Sequence, residues 1–259
     1  MALAANGIRL WGAALAFATA VTLAGCGTGS KNPDGDKTIV EKVNGQTMRL
    51  DLAGGSAKGL AVWFHGQGGT ADTRMNEAWL NELRVNGWAV ASADFHGNAW
   101  GNADAVADVA ALTKWAAEKV GKDATLYVAG SMGGLTSLNS MAQGGHAPKC
   151  WYGTMPVVDQ LTVSNVPDAD TQIQTAYGST TVPQASIPAH NFNTLPSAKY
   201  RVLASPEDTW VPAKQNADVL AAGLQAAGKE VTTLAVSGQH GDPSHFNGSD
   251  LARFAADCA

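Results

Sequence analysis

Residues Ala124 to Gly134 read A-T-L-Y-V-A-G-S-M-G-G, a short apolar run that ends at a single serine with small residues crowded on both sides. Such a segment predicts a strand that passes into a helix through a sharp turn at the serine. The positions two before and two after it must be small for strand and helix to pass closely. Here they are Ala129 and Gly133, around Ser131. The usual form of this turn is G-x-S-x-G, so Ala129 adds one methyl group in a crowded place. A serine so placed fits a nucleophile, yet Gly and Ser also fill ordinary turns. The pentapeptide leaves both readings open, and the rest of the chain must decide.

Apolar patterning around this segment predicts strands alternating with helices. Thr38 to Val43 and Thr47 to Leu52 alternate apolar and polar residues about Asn44-Gly45, a strong hairpin signal. Apolar runs at Gly59 to Phe64, Trp88 to Ala93, Ala124 to Ala129, Cys150 to Val158, Tyr200 to Ser205 and Glu230 to Val236 predict further strands. Helical spacing is expected over Ala71 to Asn86, Ala103 to Val120, Met132 to Gln143, Ala213 to Ala227 and Asp250 to Cys258. Strands alternating with helices mean a mostly parallel sheet with helices on both faces, here after an antiparallel N-terminal hairpin. Residues 159–198 break the rhythm. They are rich in Pro, Ser, Thr, Asn and Gln with one weak helical stretch near Thr171 to Tyr177, and are expected to form an excursion over a site at the strand ends.

Three segments besides the serine turn carry chemistry. H-G-Q-G-G-T, His65 to Thr70, follows a strand and has the glycines that let N–H groups turn toward a negative charge. A phosphate loop is the alternative, but its Lys-Ser/Thr is missing. S-P-E-D-T-W-V-P, Ser205 to Pro212, places Asp208 just past a strand; Glu207 is the weaker candidate, and a helix N-cap is the structural alternative for Asp208. V-S-G-Q-H-G-D-P-S-H-F, Val236 to Phe246, offers His240 and His245 after the last strand.

Nucleophile turn, then acid, then histidine, each after a strand: over nearly all of 38–259 this order resembles the α/β-hydrolase family. The resemblance implies Ser131 as nucleophile, His240 in G-x-H-G as base, and Asp208 in D-x-x-V-P as the acid that holds it. His245 is the alternative base. From relatives with the H-G-x-G-G form it also implies main-chain N–H groups of Gln67 and Met132 as the oxyanion hole, so that side-chain replacement should barely test them. His65 would brace that loop. His96 is expected to brace its own loop, and His146 and His190 to be solvated. Asp94 is an alternative acid that departs from the chain order. Trp100, Trp210 and Met132 are candidates for an apolar substrate wall, with burial in the core as the alternative.

The ends of the chain suggest where it works. Arg9, the apolar stretch Leu10 to Leu23 and then L-A-G-C form an export signal too short to span a bilayer. Leu23 to Cys26 resemble a bacterial lipoprotein signal, which implies cleavage before Cys26 and a diacylglycerol on its sulfur, and hence a protein held at a membrane of the cell envelope; an ordinary secretory peptide or a short membrane anchor that happens to contain a cysteine is the alternative. Residues 1–25 are then the signal, 26–37 a flexible tether and 38–259 one domain. Cys150 and Cys258 remain as a candidate disulfide, two buried free thiols being the alternative. The net charge of −5 is spread along the chain without a basic stripe, so nucleic acid is not an expected partner. No metal or dinucleotide motif occurs, and no cofactor is expected. The expected activity is hydrolysis of a small or polymeric carboxylic ester through an acyl-enzyme, by a monomer. A peptidase, an acyltransferase or a non-catalytic binding lipoprotein are the alternatives.

Overall fold

A computed structural model describes residues 37–74, 77–163 and 165–259; the export signal, Cys26 and all but the last residue of the tether lie outside the described residues. Eight strands form one sheet: β1 (Thr38–Val43), β2 (Gln46–Asp51), β3 (Gly59–Phe64), β4 (Trp88–Ala93), β5 (Ala124–Gly130), β6 (Cys150–Thr154), β7 (Lys199–Ala204) and β8 (Glu230–Ala235), in spatial order 1-2-4-3-5-6-7-8. The β1–β2 and β2–β4 pairs are antiparallel and the remaining pairs parallel. Asn44 and Gly45 both take left-handed backbone, as the two-residue hairpin turn between β1 and β2 requires.

The two-residue period of the strands sends alternate side chains to opposite faces. Leu60, Val62 and Phe64 of β3 join one core with α2 (Ala103–Val120), α3 (Gly133–Ala142) and α5 (Ala217–Ala226). Ala61 and Trp63 join the other, with α1 (Glu77–Val85) and α6 (Gly248–Ala256). Helices therefore cover both faces.

Helix α1 does not reach back to Ala71. There the backbone is engaged by side chains instead: Ala71 N–H donates to Asp94, Ala71 C=O accepts from Ser92, and Thr73 C=O accepts from Trp63 Nε1. Arg74 nearby pairs with buried Asp51, whose other oxygen accepts from Thr38 and Arg49. Strand β6 also ends early, at Thr154. Met155 takes φ 42°, and the chain crosses beneath the serine turn, with Val157 N–H donating to Ser131 C=O.

The excursion has a core of its own. Val163, Val166, Ile173, Val182 and Ile187 pack with Trp100, Met132 and Leu135, so this segment, which includes α4 (Ala169–Tyr177), is a packed cap. Polar ties hold it at several points. Asn102 donates to Ala176 C=O, Tyr177 OH to Trp100 C=O, and Asn165 to Thr209 C=O. Asn216 accepts from the N–H groups of Val158 and Asp159 and donates to Thr162.

Cys150 opens β6, Cys258 follows α6, and the two are joined in a disulfide with Cα atoms 5.8 Å apart. The bridge closes a span of 108 residues, for which chain entropy gives about 4–5 kcal/mol and measured cases about 2–5. Reduction, or Cys150→Ser with Cys258→Ser, should lower the melting temperature by about 5–15 °C, read by thermal unfolding with and without reductant.

Candidate active site

Ser131 stands between β5 and α3 with φ 54°, a left-handed backbone that side chains other than glycine rarely hold. Its neighbours keep it there: Ser131 N–H donates to Thr154 C=O at 3.2 Å, and Gly134 N–H donates to Ser131 C=O at 2.9 Å. The small residues flanking the turn are not equivalent. The Ala129 methyl lies in the core with Phe64 and Tyr127, which accommodates the departure from glycine. A Cβ on Gly133 would instead lie 2.2 Å from Phe64 C=O, and one on Gly134 would lie 2.6 Å from Val157 C=O. Gly133→Ala must therefore displace the end of β3 and the His65–Thr70 loop. We expect it to cost about 1–3 kcal/mol of stability, read by thermal unfolding, whereas Ala129→Gly should cost about 1 kcal/mol or less.

The structure brings Ser131, His240 and Asp208 together. Ser131 Oγ donates to His240 Nε2 at 2.9 Å, and His240 Nδ1 donates to Asp208 Oδ2 at 2.7 Å. An ionised carboxylate can only accept, so Nδ1 carries the proton and Nε2 presents its lone pair to the serine. The other oxygen of Asp208 accepts from the N–H groups of Trp210 (2.9 Å) and Val211 (3.0 Å), so one carboxylate serves both as a turn cap and as the histidine's partner. Burial works to raise its pKa. The hydrogen bonds from His240, Val211 and Trp210 outweigh that and hold the carboxyl below its ordinary range. Gln239 staples the two loops: its amide accepts from Thr209 N–H and Oγ1 and donates to Glu207 C=O. This residue carries no sequence motif; only its place next to His240 hints at the role.

Beside Ser131, the His65–Thr70 loop is tied at several points. His65 bridges Gly66 C=O and Asp94 C=O, Gly68 N–H donates to Asn98, and Gln67 Nε2 donates to Pro167 C=O. The main-chain N–H groups of Gln67 and Met132 hydrogen-bond no other described residue.

Other candidates fall elsewhere. His245 is fully buried, its Nδ1 lies 3.1 Å from Met155 Sδ, and its C=O accepts from Thr154, so it braces the loop beneath His240 and does not reach Ser131. Trp100 and Met132 do not form an open wall: both are about 1% exposed in the core of the cap, where the indole N–H finds its partner in Gln172. Trp210 differs, being 43% exposed and stacked on the His240 ring with centroids 5.7 Å apart. Glu207 points no contact at His240; its C=O takes the Gln239 bond. Asp94 accepts from Thr47 and Ala71 N–H groups, and its carboxylate is spent on those turns. His96 pairs with Asp108 at 2.6 Å. His146 is half-buried against Tyr127 and donates to Ala124 C=O, so it is not simply solvated, while His190 is exposed. Among the described residues no group of three His, Cys, Asp or Glu is placed to hold a metal ion, and no helix is long and apolar enough to cross a membrane. A cavity of about 460 Å³ lies behind the acid loop between β7, β8 and α5, and neither Ser131 nor His240 lines it.

Besides Asp208, two buried groups contribute to the response to acid. Burial lowers the pKa of His245, so the folded protein keeps it neutral while the unfolded chain binds a proton below its ordinary value of 6.5. Asp51 is likewise lowered: burial opposes ionisation, but Arg74, Thr38 and Arg49 outweigh it. In both cases the unfolded state binds more protons as pH falls, so stability is lost on acidification. The first loss, from His245, begins below pH 6.5, and that from Asp51 follows in the carboxylate range. Melting temperature should fall between pH 7.5 and 5, and His245→Gln should flatten that fall.

An eight-stranded, mostly parallel sheet with an antiparallel N-terminal hairpin and helices on both faces is the α/β-hydrolase fold, and this chain has it. Among solved structures it is similar to Thermogutta terrifontis esterase 2 phosphonylated by sarin, at TM-score 0.64 and 18% identity, over 86% of this chain and 93% of that one. Est1E from Butyrivibrio proteoclasticus superposes at TM-score 0.66 and 15% identity, over 85% and 98% of the two chains. A Pyrococcus horikoshii acylaminoacyl peptidase gives TM-score 0.67 at 12% identity over 86% of this chain, which spans only 40% of the peptidase. No protein-family model and no curated protein matches the sequence.

Proposed function

We propose that the protein is a serine hydrolase that cleaves carboxylic esters through an acyl-enzyme. The observation that carries this is the unbroken relay from Ser131 Oγ through His240 to Asp208, with each link at hydrogen-bond distance. Ser131 attacks the ester carbonyl as His240 Nε2 takes its proton; His240 then returns the proton to the leaving alcohol. Asp208 keeps the imidazole in the tautomer that accepts from serine and stabilises it once charged. The oxyanion is held by the Gln67 and Met132 N–H groups. Water then takes the alcohol's place and releases the acid. No cofactor enters any step.

Ester over amide is favoured by extent. The similar Thermogutta terrifontis esterase chains are covered over 93% and 91% of their length, the peptidase over 40%. Peptidase activity uses the same residues and is separated by assay: aryl esters of varied acyl length against the matching anilides. A fluorophosphonate probe tests the mechanism itself. It should label wild-type protein at Ser131, whereas a binding protein on this scaffold would stay unlabelled. Product analysis in the presence of a second alcohol separates hydrolysis from acyl transfer. We place the enzyme in the cell envelope as a monomer, anchored through lipid on Cys26; mass spectrometry of the N-terminal peptide checks that site.

A further inference from the structure

We propose that Gln172, on α4 of the cap, is a positioning residue for the oxyanion hole: it fixes the Gln67 side chain and so aims the Gln67 N–H at the carbonyl under attack. This rests on the acyl-enzyme reading above. Gln172 Oε1 accepts from Gln67 Nε2 at 2.9 Å and from Trp100 Nε1 at 3.2 Å. The indole N–H can only donate, so the amide oxygen of Gln172 must face it, and that fixes the orientation of the amide. Both lone pairs of this oxygen are then used. Gln67 has a second amide hydrogen, which goes to Pro167 C=O at 2.7 Å, and that carbonyl can only accept. The network has one consistent set of donors and acceptors.

Three segments meet at this point: the loop after β3, the segment after β4 that holds Trp100 at φ 48°, and the cap. On the far side of Gln67, Gly68 N–H donates to Asn98 Oδ1 at 2.6 Å. The loop is thus held on both flanks of Gln67, whose N–H bonds no other described residue. A preorganised donor works only when it already lies about 2.7–3.1 Å from the oxyanion position. Replacement of the Gln67 side chain is therefore not neutral, contrary to what a purely main-chain role would imply.

The test uses Gln172→Met, Gln67→Met and the double variant, with kcat and KM on a short-chain aryl ester and the fluorophosphonate labelling rate. Each single change should lower kcat about ten- to hundredfold, with KM changed less than about threefold, and slow labelling in proportion. The double variant should be no worse than the poorer single, since both remove one interaction. Gln67→Met leaves the Trp100 bond to Gln172 in place, so it keeps the test decisive if Gln172→Met folds poorly. Wild-type kcat in Gln67→Met, a loss confined to KM, or additive losses in the double variant would overturn the proposal. Wild-type and Ser131→Ala proteins run in parallel separate the outcomes: absence of turnover and labelling in wild type sinks the hydrolase reading itself.

Discussion

Ser131→Ala should lose about a millionfold in kcat on an aryl ester and all labelling by a fluorophosphonate, with its melting temperature within about 2 °C of wild type. The chemical loss follows because Ser131 Oγ is the atom we propose forms the acyl bond. What survives is what the oxyanion hole and binding supply alone, roughly a thousandfold over water. Stability should hold because Oγ bonds only His240, and alanine meets the same left-handed backbone constraint that serine already endures at φ 54°. The pairing of intact fold with lost chemistry is the informative outcome. Turnover at more than about one part in a thousand would move the nucleophile elsewhere.

Asp208→Asn should lower kcat about ten-thousandfold, through a tautomer and not through a lost contact. The asparagine carbonyl can keep the bonds from Trp210 and Val211 N–H, because these use Oδ1. Its amide nitrogen would then face His240 Nδ1 and donate to it. That leaves the imidazole proton on Nε2, pointing at Ser131 Oγ, where a lone pair is needed. Asp208→Ala should be milder in tautomer and harsher on the turn, since it frees His240 but leaves two N–H groups without their acceptor. Circular dichroism together with kcat on both variants reads the difference. Activity close to wild type in Asp208→Asn would argue that the carboxylate is only a cap.

The candidate site is more legible in the sequence than its support. Small residues around Ser131, the D-x-x-V-P segment and G-x-H-G are local patterns with local causes, and these are the residues the fold gathers at the strand ends. Strand positions were equally readable, because an apolar run of five or six residues has few other fates. Boundaries failed where side chains from distant elements captured the backbone: Ser92, Asp94 and Trp63 hold Ala71 to Thr73 out of the expected helix. In the sequence the cap looks like a polar excursion because its apolar residues, Val163, Val166, Ile173, Val182 and Ile187, are spaced without a period. They find one another only by packing on Trp100 and Met132, which is also why those two are absent from any open wall. His245 and His240 are five positions apart in similar company. Only the placement of Met155 under the loop tells which ring is buried.

The cap is bonded to the oxyanion loop through Gln67, to the acid loop through Thr209 and to the start of α5 through Asn216. Swapping in a foreign segment of 159–198 to broaden substrate range would thus perturb rate and selectivity together. Directed changes of substrate preference should start from the solvent-facing indole at Trp210, where no such anchoring has to be rebuilt.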